Sequence, residues 1–165
     1  MKKIFLFLLL SSVISHAQIK TDKTAIENVL DTWHEAAAQA NFDAYFFLMT
    51  KDAVFIGTDA TENWQLDAFK AFSKPYFHKG KAWDFKPVER NIYFSDDGKI
   101  AWFDELLDTH MEICRGSGVL KKEKNQWKIA HYVLSITIPN DNIDAVIKLK
   151  QEFDDKLLES LKVKK

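Results

Sequence analysis

The sequence predicts an α+β domain, and three observations lead to that class. Apolar residues recur at helical spacing up to about residue 72. From Trp83 to Ile138 they alternate with polar residues, which is the period of half-buried strands. Helical spacing then returns after Pro139. Helices, a meander of strands and a final helix indicate one antiparallel sheet with helices as its only cover.

Four elements are predicted before the meander. The pattern Thr24-Ala-Ile-Glu27 has the form of a capping box, so the first helix is expected to begin there. Gly57 ends the strand of this half, and a loop rich in turn-forming side chains follows it. The four elements are a helix over residues 24–40, a short helix over 44–49, a strand over 53–56 and a helix over 64–72.

Four strands and a helix are predicted for the rest of the chain. The turn Asp96-Asp-Gly98 is typical of a hairpin. A long antiparallel sheet twists, and if it curls around the helices it forms a cone whose open mouth can hold a pocket. The strands are predicted over residues 85–94, 99–110, 115–122 and 127–138, with the last helix from residue 143.

The first 17 residues have the pattern of an export signal. Two lysines, an apolar run over residues 4–10 and the small-x-small site Ser15-His-Ala17 predict cleavage and a secreted or periplasmic protein. The apolar run is too short to span a bilayer, so stable membrane insertion is not expected. Without those two lysines the chain keeps 21 basic and 24 acidic residues, a net charge of −3 that does not favour nucleic acid as a partner. Cys114 is the single cysteine, which excludes an internal disulfide.

Three stretches resemble the SnoaL-like proteins of the nuclear-transport-factor-2-like superfamily: AVFIGTD (residues 53–59), CRGSGVL (114–120) and WKIAHYVLS (127–135). The resemblance implies a cone in which a curved antiparallel sheet wraps around the N-terminal helices, with an extra C-terminal helix outside. Isomerases, dehydratases, cyclases and members without known activity share this fold, so the fold alone does not fix the chemistry. The implied division is a signal peptide over residues 1–17, a cone domain over 18–140 and a helix over 141–165.

The ketosteroid isomerase branch of the superfamily places a tyrosine on the first helix and an aspartate base at the end of the first strand. The resemblance puts Trp33 at the tyrosine position and Gly57 at the base position. Neither residue can transfer a proton, which counts against isomerase chemistry.

His131 is the first polar candidate. Strict alternation would place its ring on the same face as Trp127 and Ile129, and in similar proteins that strand turns its Trp, Ile and His toward the concave face. The ring could then be a core histidine bonded to a neighbour, a pocket residue without a catalytic role, or a catalytic base.

Asp59 is the second candidate, because it lies just after the first strand. A loop aspartate followed by Thr61 and Glu62 is typical of an Asx-turn or a helix cap. If the carboxyl group instead turns inward and loses water, its pKa would rise and it could act as a base.

The strand over residues 101–108 mixes acids with apolar bulk on both faces. One face carries Asp104 and the other carries Glu105. One carboxylate is therefore expected to be half-buried, with Arg115 as its natural partner. That pair could lock the sheet, or Arg115 could hold the carboxylate of a ligand.

Gly116 and Gly118 lie inside the strand that begins near Arg115. A glycine within a strand marks a bulge or a close approach by another group. His34, His78, His110 and His131 lie far apart in the sequence, without the spacing of histidine ligands on one element. Neither a metal site nor a cofactor is predicted.

The leading hypothesis is that a small, partly apolar molecule binds in an aromatic-lined pocket between the helices and the sheet. One alternative is a proton-transfer enzyme of the isomerase, cyclase or dehydratase type that uses Asp59 or His131. The other is a non-catalytic module that forms a homodimer through the sheet. The predicted pocket walls are Trp33, Tyr45, Trp64, Phe69 and Trp102, and the predicted polar anchors are Asp59, Asp104, Arg115 and His131.

Overall fold

The computed structural model describes residues 2–163, with side chains from residue 20 onward, as four α-helices and six strands. The export signal predicted over residues 1–17 lies outside the described side chains. The helices are α1 (Lys2–Ala38), α2 (Phe42–Phe47), α3 (Leu66–His78) and α4 (Ile143–Val163), with a 3₁₀ turn at Asn140–Asn142 before α4. The strands are β1 (Met49–Ile56), β2 (Asn63–Gln65), β3 (Lys86–Phe94), β4 (Ile100–Thr109), β5 (Glu112–Glu123) and β6 (Gln126–Ile136).

The six strands form one curved sheet in the order β2-β1-β6-β5-β4-β3. Neighbouring strands are antiparallel except β1 and β6, which run parallel. The predicted hairpin turn joins β3 to β4, where Gly98 has a φ of +63° and its amide donates to the Ser95 carbonyl over 2.9 Å. The predicted α+β class, with helices before a curved sheet and one helix after it, is confirmed.

Several predicted boundaries are wrong. β1 begins at Met49, four residues before the predicted strand, and α3 runs through Pro75 to His78 instead of ending near residue 72. The first helix does not begin at Thr24, because α1 already passes through this residue as part of Lys2–Ala38. The turn before Thr24 is anchored to the sheet, since the Asp22 carboxylate accepts hydrogen bonds from Lys122 Nζ at 2.7 Å and from the Trp127 indole at 3.1 Å. The loop after β1 is also shorter than predicted, because Asn63–Gln65 pair with β1 as the edge strand β2.

The helices cover the inner face of the sheet. α1 packs on β6 and β3, α2 packs on β1, and α3 packs on β1 and β2. Every second residue of β4 is buried on that face, from Ala101 to Leu107, and the residues between them point outward. This alternation sets which side chains can reach the space between the helices and the sheet.

A bulge at Ala130 reverses the facing of β6. Ile129 pairs with Leu120 and His131 pairs with Val119, so Ala130 has no partner of its own on β5. Ile129 and Tyr132 are therefore both buried, whereas His131 points to the outer face. The prediction that His131 shares a face with Trp127 and Ile129 is wrong, because strict alternation does not hold across the extra residue.

The C-terminal helix α4 has no buried residue, and its apolar side chains are exposed. Among the described side chains, no helix is both long enough and apolar enough to cross a membrane.

Candidate functional site

A cavity of about 310 Å³ lies at the mouth of the sheet, between α3, the end of β1 and the loop before β3. Its polar lining is small and consists of Thr58, Glu62 and His110. Half of its lining residues are aromatic: Phe55, Trp64, Phe69, Phe72, Tyr76, Trp83 and Phe85. A more polar groove of about 450 Å³ adjoins it, and Lys81 and Lys86 line that groove. Ligand sites in proteins commonly combine a large apolar wall with a few polar groups.

The aromatic wall is held together by ring stacking. The Phe55 and Phe69 rings stack at 4.1 Å between centroids, and Trp64 stacks on Phe72 at 4.3 Å. Below the wall, the Tyr45 ring meets Trp83 edge to face at 5.6 Å. Because these rings already support one another, the wall is formed without a ligand.

Glu62 lies at the lip of this cavity, in the tight turn that follows β1. Its side chain occupies the space over Gly57, where a Cβ would collide with Glu62 Oε2. The carboxylate accepts a hydrogen bond from the Asp59 amide at 3.2 Å. The Gly57 amide also donates to the Glu62 carbonyl over 3.0 Å. Gly57 therefore gives Glu62 its place beside the cavity.

A buried polar network lies deeper, between α1 and the sheet, and it centres on Glu105, which is 1% exposed. One carboxylate oxygen is 2.8 Å from His34 Nε2 and accepts from the Tyr132 hydroxyl at 3.1 Å. The other accepts from Arg90 Nε at 2.8 Å. Arg90 also donates to Asp31 on α1 over 2.7 Å. The network therefore ties α1 to three strands of the sheet.

The electrostatics of the network keep Glu105 charged. Burial alone would raise the pKa of Glu105, but the hydrogen bond and charge of His34 and the charge of Arg90 hold it below its usual 4.5. Burial, reinforced by the Glu105 charge, raises the pKa of the Tyr132 hydroxyl well above its usual 10.0. Tyr132 therefore remains a hydrogen-bond donor to a carboxylate that stays ionised.

Gly116 makes room for this network. A Cβ at Gly116 would collide with the Tyr132 hydroxyl and lie 2.9 Å from Glu105 Oε1. At Gly118 a Cβ would collide with the His131 carbonyl and lie 2.8 Å from the Phe103 ring. The predicted close approach at these two strand glycines is confirmed.

Replacing Gly116 by Ala is expected to lower the free energy of unfolding by about 1–3 kcal/mol, because the Tyr132 and Glu105 side chains must shift to admit the methyl group. The measurement is denaturant unfolding of Gly116→Ala in the wild-type and Tyr132→Phe backgrounds. Removal of the Tyr132 hydroxyl takes away the nearest atom, so the cost should be smaller in the second background. An equal loss of stability in both backgrounds would show that the collision with the Tyr132 hydroxyl does not determine the cost.

The sequence profile of the SnoaL-like domain matches residues 26–139, more than half of the chain. The chain belongs to the SnoaL-like family. No curated protein sequence matches this SnoaL-like chain.

Several solved structures share the fold of this SnoaL-like domain. A nuclear-transport-factor-2-like protein of unknown function from Pseudomonas putida KT2440 is 13% identical over 74% of this chain and 92% of its own, with a TM-score of 0.62. A protein with the provisional name of dehydratase, from Streptomyces avermitilis, is 10% identical over 73% and 99%, with a TM-score of 0.64. A provisional scytalone dehydratase from Novosphingobium aromaticivorans is 14% identical over 72% and 85%, with a TM-score of 0.60. Identities this low establish the shared fold alone.

Four of the nine residues predicted to form the site lie at or below the cavity of this SnoaL-like domain. Trp64 and Phe69 line it directly. Tyr45 and Trp33 are fully buried beneath it, stacked on each other at 4.7 Å between ring centroids. Trp33 therefore belongs to the core under the cavity.

The other five predicted residues do not line the cavity. Trp102, Asp104, Arg115 and His131 are on the outer face of the sheet, because the inner face takes the alternate residues of β4 and β5 and the bulge turns β6. Asp104 accepts a hydrogen bond from Asn91 at 3.1 Å, and among the described residues no ion pair joins it to Arg115.

Asp59 is fully exposed and forms the Asx-turn that was one of its two expected roles, accepting the Thr61 amide at 2.8 Å. The side-chain and backbone hydrogen bonds of Thr61 hold the pKa of Asp59 below its usual 3.8. A base would need a shift in the opposite direction.

Sequence reasoning missed Glu62, His110 and the buried network. Glu105 was visible as an acid within an apolar row of β4, but alternation alone did not show which face is inside. His34 follows Trp33 in the apolar stripe of α1, and that position was the available signal for its burial. Glu62 gave no such signal, because its place depends on the absent side chain of Gly57.

Proposed function

We propose that this chain binds a small organic molecule with an apolar body in the aromatic cavity at the mouth of the sheet. The observation that carries the proposal is a wall of packed rings around about 310 Å³ of space with few polar groups. A cavity lined in this way gains free energy when an apolar surface replaces water. The exported location predicted from residues 1–17 is part of the proposal.

Proton transfer by Asp59 or His131 is not part of the proposal. Asp59 is bonded into an exposed turn, and His131 lies on the outer face of the sheet. The homodimer through the sheet stays a prediction. An exposed ring pair, Tyr93 and Trp102, stacked at 6.0 Å, lies on the surface that it would use.

A neutral aromatic probe, 1-naphthalenemethanol, tests the proposal in a calorimetric titration of the full chain. We expect saturable binding to the wild type and binding weaker by about tenfold or more in Ala82→Phe, since the new ring would fill the cavity. Ala82 lies outside the helices and strands, so the substitution interrupts no regular element.

The matched control is Ala71→Phe. This residue is exposed on α3, and it does not line the cavity. Its affinity should equal that of the wild type. Absence of saturable binding to the wild type, or an equal loss in both variants, would contradict the proposed site.

A further inference from the structure

The residues that line the cavity carry one formal charge, and it is negative. Glu62 is the only acidic side chain among the described lining residues, and none of them is a lysine or an arginine. Within the described part of the chain Glu62 has no ion-pair partner. A carboxylate without an ion-pair partner among the described residues therefore borders a space that is lined largely by aromatic rings.

Glu62 is fixed in place at this border. Its backbone amide donates to the Asp59 carbonyl over 3.0 Å, and its carboxylate accepts the Asp59 amide. The side chain also lies directly over Gly57, which has no Cβ to displace it. The carboxylate is thus held beside the cavity by local bonds. The Asp59 amide uses only one of its lone pairs, so the carboxylate can accept further hydrogen bonds.

The rings nearest the solvent form a row on one side of the mouth. Trp64 stacks on Phe72, and the Phe72 and Tyr76 rings lie 5.4 Å apart. Phe72 is 38% exposed and Tyr76 is 44% exposed, and contiguous exposed apolar side chains of this kind mark sites of interaction. A row of ring faces next to a carboxylate attracts positive charge, because the face of an aromatic ring is electron-rich.

We infer that the cavity accepts an organic cation, a quaternary or protonated amine attached to an apolar body. The inference rests on the proposed function, since it assigns the charge of the ligand that the same cavity binds. The apolar body would occupy the space beside Phe55 and Phe69. The cationic group would lie at the lip, between the Glu62 carboxylate and the row of Trp64, Phe72 and Tyr76.

A purely structural role for Glu62 is the competing explanation. Its carboxylate could serve only to accept the Asp59 amide and close the turn. A glutamine at this position keeps an oxygen acceptor for that amide and removes the negative charge. Glu62→Gln therefore separates the two explanations without disturbing the turn.

The test compares three probes with the same naphthalene body on the full chain at low salt. They are 1-naphthylmethyl-trimethylammonium, the neutral 1-naphthalenemethanol and the anionic 1-naphthaleneacetate. We expect the cation to bind the wild type about tenfold more tightly than the alcohol, and the anion to bind most weakly. In Glu62→Gln the cation should lose about tenfold in affinity, and the affinity for the alcohol should change much less.

The outcomes separate this inference from the proposed function. If the cation and the alcohol bind equally well to the wild type, or if Glu62→Gln leaves the cation affinity unchanged, the inference is overturned and the apolar site stands. If none of the three probes binds, both are overturned. Thermal unfolding of Glu62→Gln at the wild-type temperature confirms that the turn is intact, so that a loss of affinity reports the charge.

Discussion

Glu105→Ala is expected to lower the free energy of unfolding by about 3–5 kcal/mol, the cost of removing one partner from a buried ion pair. The substitution leaves the Arg90 guanidinium and the His34 ring facing a space without a carboxylate, and the Tyr132 hydroxyl loses its acceptor. It also removes the group that ties α1 to β3, β4 and β6. Chemical denaturation followed by circular dichroism measures the effect.

The neighbouring substitution Asp104→Ala is the matched control. It removes a carboxylate from the same strand, but on the outer face, where Asp104 is partly solvated and bonded to Asn91. Its expected cost is within about 0.5 kcal/mol. Equal stability of the two variants would show that the buried network does not hold the helix to the sheet. If Glu105→Ala does not fold, Glu105→Gln serves instead, because it keeps the side-chain volume. Its free energy of unfolding should be lower than that of the wild type but still greater than zero.

Phe69→Ala should lower the free energy of unfolding by a similar amount, about 3–5 kcal/mol, because it removes a buried aromatic ring. Phe69 is 1% exposed, and its ring stacks on those of both Phe55 and Trp64. The loss combines the transfer free energy of the ring with the energy of the void left behind. It would also merge the cavity with the new space, so that the wall no longer keeps its shape.

Phe72→Ala provides the comparison for that prediction, since it removes the same side chain from the same helix. Phe72 also lines the cavity, but it is 38% exposed where Phe69 is 1% exposed. Its removal is expected to cost less than about 1 kcal/mol in stability, although it takes one ring from the mouth. Thermal and denaturant unfolding of both variants tests the difference. Costs of equal size would contradict the assignment of Phe69 to the core and Phe72 to the rim.

The order of elements could be predicted from the sequence because it depends on local patterns. The helical stripe of α1 and the alternation of β4 are properties of neighbouring residues, and each correctly predicted its element. Phe69 could be placed at a pocket because its helix was expected to cover the sheet. Trp64 was predicted in the same helix but lines the cavity from the edge strand β2.

The facing of polar residues could not be predicted, because it depends on contacts between distant segments. Alternation on β4 fixes two faces without saying which is inside, so Asp104 and Glu105 were equivalent until α1 was placed against one of them. The reversal at Ala130 is set by pairing with β5 and has no signature in the sequence of β6. Glu62 reaches the cavity only because a residue five positions earlier has no side chain.

Ala130 has no partner on β5, so the buried side chains of β6 are at odd-numbered positions before it and at even-numbered positions after it. Before it, Trp127 and Ile129 face inward, and the Trp127 indole donates to the Asp22 carboxylate. After it, Tyr132 joins the Glu105 network and Leu134 lines the aromatic cavity. A strand with unbroken alternation could make only the contacts before Ala130 or only those after it. Deleting Ala130 would therefore turn either Trp127 or both Tyr132 and Leu134 toward solvent.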